Sequence, residues 1–173
     1  MEELPYKLKV ELAMEIHKKI YKTVSFFQNR EKNFIVWIVT LLRPSFIQEQ
    51  EFLYTEGEQI TESKKFLITA IVYFCIHGSL GYVLTRFRNM IYIRVDDGDH
   101  FGHTDMIQEK NSMKRRDIMA KGKILSGKDL IRLFSLQALI NSDLLIIAMT
   151  DLEKMKIEFL DIFADLFTSA YYR

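Results

Sequence analysis

Leu4, Leu8, Leu12, Ile16, Ile20 and Val24 recur at every fourth position through the opening of the chain, with lysines and glutamates between them. A four-residue apolar period winds into one stripe on an amphipathic helix, and Pro5 stands where a first helical turn tolerates it. Such a stripe packs on the chain's own core or on a neighbouring subunit. A second helical pattern covers about 31–42 and ends before Pro44, which cannot continue a helix. From Pro44 to Val95 the period shifts toward two. The runs "SFIQEQEFLYTEGE", "AIVYFCIHG", "LGYVLTRF" and "MIYIRV" are short, rich in β-branched and aromatic residues, and predict strands. Two more follow in "RLFSLQAL" and "DLLIIAM". The tail is helical: Leu152, Met155, Phe159, Ile162, Phe163, Leu166, Phe167 and Ala170 mark one wide face, with Thr150 or Asp151 as its cap. The order is helix, helix, about eight strands, helix, which predicts a compact β sandwich or barrel without internal repeats.

Composition narrows the function more than the fold. The chain has 173 residues, 49% apolar and 27% charged, enough for one domain with its own core. A formal net charge of +1 gives no global field that would draw nucleic acid or membrane. One cysteine excludes an internal disulfide framework and suits a reducing compartment. No secretory pattern opens the sequence, and "FIVWIVTLL" and "FLITAIVYFCI" fall short of the roughly 20 residues of a membrane helix. These features lead us to expect a soluble, intracellular domain.

One stretch breaks the rhythm. "GDHFGHTDMI" sets two glycines, two aspartates and two histidines between the strand "IYIRV" and a polar segment, "QEKNSMKRRDIMAKGKILSGKDLI" at 108–131, which carries seven Lys or Arg. A short helix from His103 to Ile107 would present main-chain N–H groups that attract anions, and Gly102 admits close approach to the backbone. The plain alternative is a hairpin corner. Arg132, at the head of an apolar run, is the candidate counter-charge, because a guanidinium forks onto two phosphate oxygens; the plain alternative, favoured by the residues alone, is a solvated strand end. The basic segment itself reads as a solvated loop rather than a phosphate- or lipid-seeking patch.

The order "PSFIQEQEFLYTEGE … YFCIHGSLGYV … GDHFGH … RLFSLQALINSDLLIIAMTDLEKM" resembles the cyclic-nucleotide-binding domain. That family carries a "GDxFGE" turn, a phosphate-binding cassette and an arginine followed by Thr or Ser. "LPYKLKVELAMEIHKKIYKTVSFF" is similar to the end of the linker preceding this domain in tetrameric cation channels of the hyperpolarization-activated, cyclic-nucleotide-gated and ether-à-go-go types. The resemblance implies an α+β, mainly β fold: an antiparallel eight-stranded, jelly-roll-like β-roll flanked by N-terminal helices and C-terminal lid helices. Residues 1–24 would end the linker and 25–173 form the domain, with the basic insert at about 108–131. Gly98 and Asp99 would shape the approach to the cassette and Phe101 would pack beneath it. The main chain around Gly102, His103 and Thr104 would meet the phosphate and ribose of cAMP or cGMP, Arg132 would neutralise the phosphate, and Leu133 would follow it. The helix from about Leu160 would be the lid, with Arg173 at a lid-arginine position. No other cofactor is implied. The implied partners are the nucleotide, a channel transmembrane domain and neighbouring subunits of a homotetramer. The domain would be cytoplasmic and its parent membrane-bound.

Several positions depart from the pattern. His103 stands where ligand-binding members place a glutamate that accepts from the ribose, and imidazole offers at most one acceptor nitrogen. Losing a hydrogen bond to a charged group costs about 1.5–3 kcal/mol. Leu133 replaces Thr or Ser, the insert lengthens the cassette, and "KKFLITA" at 64–70 adds length between two strands. A fold kept while its polar ligand contacts change is compatible with weak binding. It equally fits a homology domain that binds no nucleotide and serves channel assembly or protein interaction. His100 and His103 beside Asp99 and Asp105 raise the thought of a metal, but no third imidazole is nearby in sequence. Catalytic nucleophile, P-loop and zinc-protease patterns are absent from the sequence, so we expect no enzyme activity. Nor does a helix-turn-helix follow, so we expect no nucleic-acid partner.

Overall fold

The computed structural model describes residues 7–8, 11, 18–60, 70–106 and 131–171. Two short helices, α1 (Lys18–Thr23) and α2 (Lys32–Val39), precede eight strands. These are β1 (Arg43–Ile47), β2 (Phe52–Tyr54), β3 (Ala70–His77), β4 (Ser79–Leu84), β5 (Met90–Asp96), β6 (His100–Phe101), β7 (Ser135–Ala138) and β8 (Ser142–Ala148). They form two antiparallel four-stranded sheets, ordered β1-β8-β3-β6 and β2-β7-β4-β5. Helices α3 (Met149–Glu158) and α4 (Leu160–Tyr171) close the chain. This is the β-roll flanked by helices that the resemblance implied.

The pleat divides the core in two. Along β3, Val72 and Phe74 face the helices, while Tyr73 and Cys75 face the interior of the roll. Along β8, Leu145 and Ile147 join the helices, and Leu144 and Ile146 join the interior. Both strands are covered on both faces, so they read as continuous apolar runs rather than alternating ones. The helix-side cluster draws in Phe26, Phe34, Ile38, Leu152, Met155, Phe163 and Leu166. At the sheet edge, β5 leaves Met90, Ile91, Tyr92 and Ile93 exposed and buries only Val95.

The tail is two helices, the second starting at Leu160 where the resemblance put it; the apolar period alone runs through the break at Phe159 (φ −136°, ψ 58°). Two boundaries differ from expectation. Ala148 precedes α3 with no side-chain cap; Asp151 lies buried in the first turn, where Lys154 reaches it. Helix α2 stops at Val39, short of Pro44, in a tight turn where the Leu41 and Leu42 amides both bond the Ile38 carbonyl. Pro44 itself lies in edge strand β1, a position that tolerates a missing N–H. Of the opening stripe, Leu8 is exposed, Ile20 packs partly on the core and Val24 is fully buried. Leu4, Leu12 and Ile16 lie outside the described residues, as do residues 61–69, residues 107–130, which hold all of the insert but Ile131, and Arg173. Among the described residues, no helix is long and apolar enough to cross a membrane.

Candidate functional site

The glycine turn is first a structural corner. Gly98 adopts φ +88°, its N–H bonds the Cys75 carbonyl at 2.8 Å, and its own carbonyl accepts the Ser25 N–H at 3.1 Å. A Cβ there would run into the Thr23 carbonyl, so glycine is what lets the end of α1 sit against this turn. The Asp99 carboxylate accepts the Asp96 N–H at 3.1 Å and the Asp99 carbonyl accepts the Cys75 N–H at 2.9 Å, closing the corner. Strand β6 then pairs Phe101 with Tyr73 and His100 with Phe74. Its pleat sends the two side chains apart: His100 goes to Phe26 and Phe74 on the helix side, and Phe101 stacks on Tyr73 inside the roll at 5.2 Å.

The 3-10 turn His103–Met106 repeats this division. The His103 side chain is fully buried and stacks on His100, with ring centroids 4.7 Å apart. Nε2 of His103 and Nε2 of His100 lie 3.2 and 3.3 Å from Ser169 Oγ on α4. That hydroxyl gives its proton to the Leu166 carbonyl at 2.8 Å. With its proton on that carbonyl, the hydroxyl offers its lone pairs to ring N–H groups. Both histidines thus fasten α4.

Asp105, two residues on, points into the roll and meets Arg132. The guanidinium Nη1 donates to Asp105 Oδ2 at 2.9 Å and Nη2 donates to the Tyr73 hydroxyl at 3.3 Å. The Leu133 N–H donates to Asp105 Oδ1 at 3.0 Å. Arg132 also lies over the Tyr54 ring, 4.0 Å from its centroid. The side chains of Arg132 and Asp105 are 5% and 1% exposed, so water contributes almost nothing to either charge. Burial pushes the Asp105 carboxyl above the usual carboxylate range, although Arg132 and the Leu133 N–H pull it back. Desolvation opposes the charge on Arg132, but Tyr73, Tyr54 and Asp105 more than offset it and hold its pKa up. Burial likewise raises Tyr54, Tyr73 and Tyr82, and the Tyr82 hydroxyl lies beside Tyr54, Gly102 and Thr104. Cys75, pushed up to about 12 by burial, is a core thiol without nucleophilic character at neutral pH.

The structure therefore gathers Phe101, Gly102, His103, Thr104, Arg132 and Leu133 at one end of the roll. Arg132 is placed by backbone as well: its N–H bonds the Glu58 carbonyl and its carbonyl accepts the Gly57 N–H, both at 2.8 Å. Thr104 is half-buried and Leu133 exposed. The metal idea finds its carboxylates committed elsewhere, Asp99 to the turn and Asp105 to Arg132. Sequence reasoning missed Asp105 as Arg132's partner, and with it Tyr54, Tyr73 and Ser169. An acid inside the phosphate cassette was the available signal for Asp105. The tyrosines read only as strand residues.

This fold, an antiparallel roll with an arginine brought to a glycine turn, has the architecture of a cyclic nucleotide-binding protein. A putative cyclic nucleotide-binding protein from Geobacter metallireducens GS-15 superposes with a TM-score of 0.59, covering 88% of this chain and 89% of that one at 10% identity. In sequence, the chain is similar to the human cyclic nucleotide-gated channel alpha-3, at 28% identity over 116 residues, or 65% of this chain. It is also similar to the chicken cyclic nucleotide-gated channel cone photoreceptor subunit alpha, at 26% identity over the same length. The matches span 15% and 14% of those channel proteins. No family model matches the chain.

Proposed function

We propose that this domain is the cytosolic regulatory module of a tetrameric cation channel, of the potassium or cyclic-nucleotide-gated kind, and that it binds cAMP or cGMP weakly. Residues 1–24 end the linker toward the pore, and 25–173 form the binding domain with the basic insert. The phosphate sits between Arg132 and the main chain at Gly102, His103 and Thr104, with Leu133 and the lid position Arg173 completing the pocket. The observation that carries this reading is Arg132, buried inside the roll beside the turn that begins at Gly102. Weak binding follows because His103 is turned toward Ser169 and gives a ribose no carboxylate.

Ligand would shift the pore by moving α4, and only to the extent that it binds one lid position better than the other. The path is short. Arg30 bonds Asp165 on α4 at 2.7 Å and the Phe26 carbonyl at 3.1 Å, joining the lid to the segment that follows α1. Titration with cAMP and cGMP under thermal denaturation tests the reading. A site loaded to about 100 times its dissociation constant adds roughly 2.7 kcal/mol of stability. No shift at millimolar concentrations of either nucleotide would remove the ligand from the proposal.

A second reading has its own support. Asp105 already satisfies Arg132, which suits a domain that serves channel assembly without any nucleotide.

A further inference from the structure

We infer that Asp105 is a built-in anion ligand of Arg132 and decides what the cassette accepts. The inference rests on the reading of Arg132 as the phosphate anchor, and it names the group an incoming phosphate must displace. The carboxylate is held as a bound oxyanion would be. One oxygen takes the guanidinium at 2.9 Å and the other takes the main-chain N–H of Leu133 at 3.0 Å. These are the two kinds of donor that a phosphodiester's two free oxygens require. The Tyr73 hydroxyl accepts a second guanidinium bond and the Tyr54 ring covers one face. With both partners buried, the seat has room in its charge balance for one anion at a time. A second would place like charges side by side in a desolvated site.

Exchange needs motion in a definite place. Asp105 leaves the seat only if the turn His103–Met106 swings, and His103 in that turn is bonded to Ser169 of α4. Displacement of the carboxylate and release of the lid are therefore coupled through one short turn. A neutral ligand has no means to exchange; a singly charged cyclic phosphate does.

The experiment compares the intact protein with Asp105→Ala and Asp105→Asn. Each is melted in acetate, in inorganic phosphate and in chloride at matched ionic strength, then titrated with fluorescent cAMP and cGMP. Acetate and phosphate should raise the melting temperature of Asp105→Ala well beyond their effect on wild type, by filling the vacated seat. Cyclic nucleotide should bind Asp105→Ala at least tenfold more tightly than wild type. Asp105→Asn, which keeps the shape and the bond to Leu133, should fall between and serves if the alanine variant does not fold. Equal nucleotide affinity in all three proteins would overturn the role of Asp105 and leave the nucleotide reading standing. Anion rescue with no nucleotide binding in any protein would support Asp105 as the internal ligand and remove the nucleotide. Neither rescue nor binding would overturn both.

Discussion

Two buried polar clusters leave the same short turn in opposite directions. His103 joins His100 and Ser169 on the helix side, while Asp105 joins Arg132 and Tyr73 inside the roll. The first is held by a serine hydroxyl on α4. The second is an ion pair closed off from water. A hydrogen bond between neutral groups contributes about 1 kcal/mol net, whereas breaking a buried ion pair by removing one partner costs about 3–5 kcal/mol. The Ser169 contact is therefore cheaper to open than the Asp105–Arg132 pair.

The sharpest way to break this comparison is Arg132→Met, which leaves Asp105 buried without its counter-charge. Urea denaturation should show a loss of about 3–5 kcal/mol, most of it restored by adding Asp105→Leu. A loss under about 1 kcal/mol would mean that the pair is not closed to water. Tyr73→Phe removes a phenol bonded to a charged guanidinium and should cost about 1.5 kcal/mol by the same measurement. Ser169→Ala should cost about 1 kcal/mol. Its signature is local: faster amide exchange along α4 with β3 unchanged. Arg30→Gln breaks a partly exposed ion pair and should cost no more than about 0.5–1 kcal/mol, mostly lost at high salt.

Acid sharpens the contrast further. Burial raises Asp105 in the folded state, so the folded chain takes up this proton more readily than the unfolded one. That contribution is whole below the ordinary carboxylate range and disappears as pH climbs through the raised value. Wild type should lose stability with rising pH across that interval relative to Asp105→Asn, in which the slope is absent. Matching pH profiles for the two proteins would show that Asp105 keeps an ordinary carboxyl in the fold.

Strands β3 and β8 were legible because burial on both faces demands long apolar runs, and turns between strands demand glycine or charge. The glycine corner was legible for the same local reason, although Gly98 proved to serve the contact with Thr23 as well as the turn. The break at Phe159 was not legible in the apolar period, which runs through it unbroken; the resemblance alone put a helix start near Leu160. Only the docking of α4 makes a bend there worth its lost helical bonds.

The amino-acid order by itself determined a run of short strands between helices and a glycine turn after β5, because hydrophobic period and turn chemistry act between near neighbours; the roll and the grouping of Phe101 to Thr104 with Arg132 came from the resemblance. Tertiary structure alone decided that Asp105 would fill Arg132's bonds and that His103 would face Ser169. Those choices depend on which way a short turn presents each side chain, and on partners 27 and 66 residues away, distances over which local pattern carries no information.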